Sequence, residues 1–319
     1  MSTNDVKRIL VTGACGQIGS ELVPALRERY GADNVVATDI EESNPTLREG
    51  GPFEFLDVTQ RGAIGAVVDR YRVSTIYHMA AILSATGEKR PQLAWTVNLT
   101  GLYKILEIAR ERRVDRVFCP SSIAAFGPET PRDNTPQETI LRPTTIYGVT
   151  KVAGEMLGNY YFQRFGLDVR SVRYPGIISS EALPGGGTTD YAVEIFYEAL
   201  QNKKYTCFVS ENTILPMMYM PDCVKSLVDI ANEDHLKHQV YNVTGMSFSA
   251  GELASEIKKH IPEFKIDYKP DFRQEIADSW PRTIDDSLAR EEWGWNPAFD
   301  LEKMTADMLE KLRDKFSHQ

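Results

Sequence analysis

The chain is predicted to fold as a doubly wound α/β protein: a parallel sheet covered by helices on both faces, with a smaller, interwoven C-terminal lobe over the strand ends. Three observations carry this expectation. The first 175 residues alternate short apolar runs with helical patterns, as strand–helix–strand units do. A glycine-rich turn, Thr12-Gly13-Ala14-Cys15-Gly16-Gln17-Ile18-Gly19, follows the first apolar run and opens the first helical pattern. An acid, Asp39, ends the second run 20 residues past Gly19.

Taken in order, buried strands are expected at 8–12, 34–38, 53–56, 75–79, 116–120 and 169–173, where the runs are short and apolar. Helices are expected between them, among others at 17–29, 92–112 and 147–165, where the pattern outlasts a strand. After residue 178 the character changes. Pro184-Gly185-Gly186-Gly187-Thr188-Thr189 reads as a flexible link that opens a helix at 190–201. Later helices are expected at 221–232, which begins with Pro221 at a position that favours proline, at 250–260, and at 300–316. No internal repeat or low-complexity tract is visible. The expected division is a dinucleotide-binding unit over 1–178 and a substrate lobe over 179–319, with segments around 215–245 returning to the first unit.

The 319 residues suffice for one large domain or two modest ones, and 42% hydrophobic with 25% charged residues is ordinary for a globular enzyme. With 36 basic against 45 acidic residues, a net charge of −9 and no basic block, a nucleic-acid or anionic-membrane surface is not expected. There is no apolar run of 18 residues to span a membrane. Residues 1–7 are short and polar and enter a strand at once, leaving no room for a signal or transit peptide. Cys15, Cys119, Cys207 and Cys223 have no paired spacing, which reads as reduced thiols in a cytoplasmic protein. Cys15 reads as small filler in the glycine turn. The histidines, His78, His235, His238, His260 and His318, fall in no zinc arrangement, so no metal is expected. His235 and His238 read as a solvated helix end. His78, closing a strand, reads first as a packed, hydrogen-bonded histidine and second as a group near a cofactor.

Gly13, Gly16 and Gly19 are spaced Gly-x-x-Gly-x-x-Gly. Glycines there permit a tight turn, close approach of backbone to a pyrophosphate, and close packing of helix on strand, with the phosphate charge at the helix N-terminus. Gln17 and Ile18 lie inside that turn. Asp39 would accept hydrogen bonds from the adenosine ribose and repel a 2′-phosphate, and its neighbours Ile40, Glu41 and Glu42 bring no cation. NAD is therefore expected over NADP. Asp57-Val58 follows the third strand at the height of an adenine ring; a helix N-terminal acid is nearly as good a reading of Asp57.

Tyr147 and Lys151 are four apart, so in a helix they share one face. A phenol needs positive charge nearby before it can take a proton near neutrality, and Lys151 can supply it. The Ser121-Ser122 pair, after an apolar run, can hold a substrate oxygen. Tyr-x-x-x-Lys alone reads as an exposed helix face. Behind a dinucleotide turn and a serine pair it reads as hydride and proton transfer.

These residues resemble the extended short-chain dehydrogenase/reductases, the group that includes UDP-galactose 4-epimerase, a Rossmann-type fold. The resemblance covers nearly the whole chain: the glycine turn, Asp39, His78-Met79-Ala80-Ala81, Asn98, Ser121-Ser122, Tyr147 with Lys151, and Trp293-Gly294-Trp295-Asn296-Pro297. Within the group, residues 184–192 and Asp278-Ser279-Trp280-Pro281-Arg282 are similar to the L-threonine 3-dehydrogenases. The resemblance implies Tyr147 as acid–base and Lys151 as ligand of the nicotinamide ribose. It also implies Ser122, with or without Ser121, as holder of the reacting oxygen. Ala80, Ala81 and Asn98 would belong to the coenzyme site, with Tyr174 and Ile177 flanking the nicotinamide. Ser84, Thr188, Thr189 and Trp280 would meet the amino acid. The implied reaction is NAD-dependent oxidation of L-threonine to 2-amino-3-oxobutyrate, coupled metabolically to an acetyltransferase because the product is unstable. The implied assembly is a homodimer through helices 92–112 and 147–165. Two alternatives are a sugar-nucleotide epimerase or dehydratase and a non-catalytic NAD sensor. Against the first, Leu215-Pro216-Met217-Met218-Tyr219-Met220-Pro221-Asp222 lacks the arginine that nucleotide-sugar relatives place there.

Overall fold

The computed structural model describes residues 7–41, 44–234 and 236–317; Glu42, His235, His318 and the expected leaderless stretch before Lys7 lie outside the described residues. Thirteen strands follow one another among them: β1 Ile9–Thr12, β2 Val35–Asp39, β3 Phe53–Phe55, β4 Thr75–His78, β5 Arg116–Phe118, β6 Ser121–Ser122, β7 Asp168–Tyr174, β8 Gly176–Ile178, β9 Lys204–Cys207, β10 Ile214–Tyr219, β11 Val240–Asn242, β12 Met246–Ser249 and β13 Lys265–Tyr268. The main sheet runs β11-β7-β5-β4-β1-β2-β3 with β6 also on β7, and its pairings are parallel.

β1 and β4 are buried along their whole length, because helices cover both faces. One helical layer holds Gly19–Tyr30 and Met220–Asn232, packed on Leu22, Leu26, Val11, Tyr77 and Leu227. The other holds Arg61–Tyr71, Leu102–Glu111 and part of Ile146–Phe165, packed on Leu10, Ile76, Ile105, Val117 and Tyr161. From β1 the chain builds outward to β2 and β3, then crosses to β4 on the other side. This reversal opens a crevice at the carboxyl ends of β1 and β4, where sheets of this kind bind ligands.

A smaller sheet, β12-β10-β8, and the pair β13-β9 carry the C-terminal lobe. Its core gathers Phe196, Leu215, Phe248, Leu253, Ile257, Met308 and Leu312, and it reaches across to Phe126 and Tyr147. Helices Tyr191–Gln201, Ala250–His260 and Leu301–Ser317 enclose that core.

The expected strands and helices stand within a residue or two, with instructive departures. The run at 116–120 splits: β5 stops at Phe118, and Pro120, without an N–H, precedes the two-residue β6. The long helix expected at 92–112 is interrupted by a π segment, Trp95–Gly101, with Asn98 buried inside it. His238 is not at a helix end, since Met220–Asn232 closes earlier; its ring meets Glu292 at 3.2 Å. Among the described residues no helix is long and apolar enough to cross a membrane.

Candidate active site

Helix Ile146–Phe165 carries Tyr147 and Lys151. Thr145 caps it, its Oγ1 accepting the Gly148 N–H at 3.1 Å. Gly148 lets this first turn press onto the segment after the serines: a Cβ there would meet the Ala124 carbonyl oxygen at 2.1 Å and Pro143 Cβ at 2.5 Å. Tyr147 and the serine pair are thereby held in one cleft, together with Lys151. The Lys151 ammonium donates to the Pro120 carbonyl at 2.6 Å and stands 5.3 Å from the centroid of the Tyr147 ring.

The two serines separate by their partners. Ser121 is buried and gives its hydroxyl proton to Glu155 in a short hydrogen bond. Ser122 caps the turn Ile123–Ala125, its Oγ accepting the Ala124 N–H at 3.2 Å, and its own proton remains to be donated. Ser122 is therefore the hydroxyl fitted to hold a reacting oxygen, and Ser121 is committed to the scaffold. Glu155 was not singled out by sequence reasoning, although it falls four residues after Lys151 on the same helix face. Buried Arg173 grips it at 3.0 and 2.8 Å and also donates to the Gln137 carbonyl and to Asn242.

The glycine turn opens a second groove of about 1230 Å³ along Gly13 to Glu21, and this groove shares Gln17, Ile18, Met79, Ala81 and Leu83 with the inner cleft of about 150 Å³. Gly13 has φ +66°, and a Cβ there would lie 2.5 Å from the Ala80 nitrogen. Gly13 thus lets the turn press onto the loop after β4, beside the start of Gly19–Tyr30. Asp39 closes β2 next to the turn and takes the Cys15 N–H at 2.9 Å, while Ile40 beyond it is 70% exposed. These residues fit a dinucleotide with a free 2′-hydroxyl. Gln17 ties the turn to the nicotinamide side by donating to the Ile177 carbonyl at 3.1 Å.

Other expected coenzyme residues act less directly. Asn98 spends its amide on Ile82, accepting its N–H at 2.7 Å and donating to its carbonyl at 2.9 Å, and so fixes the 79–83 loop. Tyr174 and Ile177 line the cleft, with the Tyr174 hydroxyl turned away to Ser226 at 2.5 Å. Asp57 and Val58 line neither groove. The Asp57 carboxylate takes the Thr59 N–H at 2.8 Å, and Val58 packs towards Gly101. His78 is buried, with Nδ1 2.8 Å from Thr12 Oγ1.

Across the cleft stand Ser84, Thr188, Thr189 and Trp280. Thr188 donates its N–H to Ser84 Oγ at 3.1 Å, and the two hydroxyls meet at 2.9 Å. Either hydroxyl can be the donor in this pair, and both lie on the wall of the cleft. Asp190 takes the N–H groups of Gly186 and Gly187, each at 2.8 Å. Burial raises its carboxyl above the ordinary range, and those two amides act in the opposite sense. The N–H groups of Gly186, Gly187 and Thr188 are thus all used within the protein, which leaves the side-chain hydroxyls to meet a ligand. Asp190 went unrecognised because a helix-cap acid looks alike whether it caps or shapes a loop. Among the described residues no three His, Cys, Asp or Glu side chains are grouped to hold a metal ion.

Comparison with known proteins agrees with this layout. Residues 9–244 match the NAD dependent epimerase/dehydratase family. An uncharacterized epimerase/dehydratase of Staphylococcus haemolyticus is 51% identical, over 97% of this chain and 99% of that one. The crystal structure of L-threonine dehydrogenase from Phytophthora infestans superposes with a TM-score of 0.94 at 54% identity, covering 97% of this chain and 100% of that one. The L-threonine dehydrogenase from Clostridium difficile gives 0.93 at 52%, covering 97% and 98%.

Proposed function

The chain belongs to the NAD dependent epimerase/dehydratase family, and on that premise we propose that it oxidises L-threonine to 2-amino-3-oxobutyrate. The observation that carries this reading is the cleft itself, where Ser122, Tyr147 and Lys151 face Ser84, Thr188, Thr189 and Trp280 across about 150 Å³. β10 supports the same reading, since Ile214–Tyr219 enters the lobe with no cation for a diphosphate.

In the proposed reaction the Ser122 hydroxyl orients the threonine oxygen and ionised Tyr147 takes its proton. Lys151, held by the Pro120 carbonyl, sets positive charge beside the phenol. Thr188 and Thr189 receive the substrate carboxylate. NAD, when bound, supplies the acceptor for the hydrogen that leaves the carbinol carbon. The product is a β-keto amino acid that decarboxylates readily, so an acetyl-transfer enzyme that consumes it is the proposed metabolic partner.

The test is NADH formation from L-threonine, L-serine, UDP-glucose and UDP-galactose. Threonine should be turned over best, with serine poorer by roughly 1–3 kcal/mol for the lost methyl contact. Thr188→Ala with Thr189→Ala should raise KM for threonine steeply and leave coenzyme affinity unchanged. Turnover of a UDP-sugar without turnover of threonine would give the site to the epimerase reading.

Coenzyme preference follows from Asp39. Asp39→Ala should narrow the preference for NAD, and Asp39→Ala with Ile40→Arg should shift it towards NADP through lost repulsion and gained phosphate pairing. The exposure of Ile40 leaves room for the arginine. Equal kcat/KM for both coenzymes in the wild type would remove Asp39 from this role.

We also propose a homodimer. Trp95, Tyr103, Val149, Met156 and Tyr160 are exposed apolar side chains on two helices that pack together, Trp95 and Tyr103 on the first and the others on Ile146–Phe165. Light scattering should give twice the chain mass, and Met156→Glu with Tyr160→Glu should return it to one. A wild type that stays at one chain mass at working concentrations would reject the dimer.

A further inference from the structure

Among the buried polar atoms that line the cleft, His78 Nε2 has no hydrogen-bond partner. His78 closes β4 beneath the 79–83 loop and is 6% exposed. Its other nitrogen is anchored on Thr12 Oγ1 at 2.8 Å, and Thr12 is itself buried, so the ring plane is fixed. An unpartnered ring nitrogen held this firmly is costly unless something occupies it. The other ionisable groups that line the cleft are Cys119, Tyr147, Lys151, Glu155, Tyr174 and Asp190, and of these the Lys151 charge acts on the imidazole. Glu155 is taken by Ser121 and Arg173, and the Cys119 thiol is buried and pushed up to about 12 by burial. Burial first, and then the Lys151 charge, push the imidazole down to about 3, so it is neutral and one nitrogen is an acceptor. The Lys151 ammonium has three protons, one of which goes to the Pro120 carbonyl.

We propose that His78 Nε2 binds a buried water that bridges to the Lys151 ammonium, making His78 the positioning residue that orients Lys151. The water accepts one N–H from Lys151 and donates to Nε2, with the Nδ1 proton given to Thr12. A polar cavity with two such partners is the setting in which buried water is retained. Two ammonium protons are then fixed by the protein, and the third points to the coenzyme and the Tyr147 side of the cleft. The inference rests on the role given above to Lys151 beside Tyr147, but the water itself does not depend on which alcohol is oxidised.

Two measurements test it. A crystal structure of the coenzyme-free protein, at a resolution that shows ordered water, should contain a water within hydrogen-bond distance of His78 Nε2 and Lys151 Nζ. Density without that water overturns the proposal. In kinetics, His78→Gln keeps a polar atom near the Nε2 position, whereas His78→Asn keeps only the Thr12 bond. His78→Asn should lower kcat by about tenfold or more, the factor carried by one hydrogen bond to a charged group. It should also raise the pH at which the rate reaches half its plateau, while KM for the alcohol changes little. His78→Gln should recover most of both. If Asn matches the wild type in rate and pH profile, or if Gln is as impaired as Asn, the imidazole serves only Thr12 and the proposal fails. If the wild type does not oxidise threonine, the substrate reading fails, and the crystallographic water still decides this one.

Discussion

Tyr147→Phe is expected to abolish turnover while NAD binding stays nearly intact. The substitution removes one hydroxyl, the proposed proton acceptor, and leaves a ring of almost the same volume in the same place. Tyr147 is 9% exposed and belongs to the lobe core with Phe126 and Tyr191, so the phenyl ring should keep the helix seated. General-base catalysis typically contributes ~10²-fold or more, which sets the expected loss. Lys151→Met should behave differently. Its ammonium is proposed to serve both the coenzyme ribose and the phenol, so binding and rate should fall together. Single-turnover rates with coenzyme titrations read by fluorescence separate the two effects. A Phe variant with near-normal rates would take Tyr147 out of the mechanism.

Glu155→Leu should have the largest effect on stability. Glu155 and Arg173 side chains are each 7% exposed and joined at 2.8 Å, and Ser121 donates to the same carboxylate. Removing the acid leaves a buried guanidinium without its counter-charge, a loss of about 3–5 kcal/mol in comparable pairs. Removing both charges, Glu155→Leu with Arg173→Met, should recover a substantial part, because an apolar pair of similar size escapes the burial of an unpaired charge. Urea denaturation of the wild type and the two variants checks this. Equal losses in the single and double variants would mean that packing, and not charge pairing, makes the site rigid.

The sheet was legible because β1, β2 and β4 are buried on both faces and so read as continuous apolar runs. The glycine turn was legible because backbone demands at Gly13 and Gly19 fall on one residue type. Tyr147 and Lys151 could be placed on one face at the start of a helix, and Ser122 at the end of a strand, from the strand–helix order alone. What escaped depends on side-chain contacts that no short motif spells out. Ser121 and Ser122 are adjacent and both line the cleft, yet the Ser121 hydroxyl is spent on Glu155, 34 residues away. Asn98 lines the cleft and also holds Ile82 from within the π segment, a contact across 16 residues that no local motif announces. Asp190 is invisible as a loop-shaping residue until Gly186 and Gly187 are seen to bond to it.

The close contact at Gly148 also changes how such a chain can be sought in other genomes. Tyr-x-x-x-Lys is too permissive a pattern, because any helix can carry those two residues. Since a side chain at the next position would strike the Ala124 carbonyl, Tyr-Gly-x-x-Lys is the pattern that this architecture can accept. A homologous chain that retains tyrosine and lysine but places a bulky residue between them would keep the letters of the motif and lose the apposition of phenol and serine. Such chains are where diverged, non-oxidising descendants of this fold should be looked for.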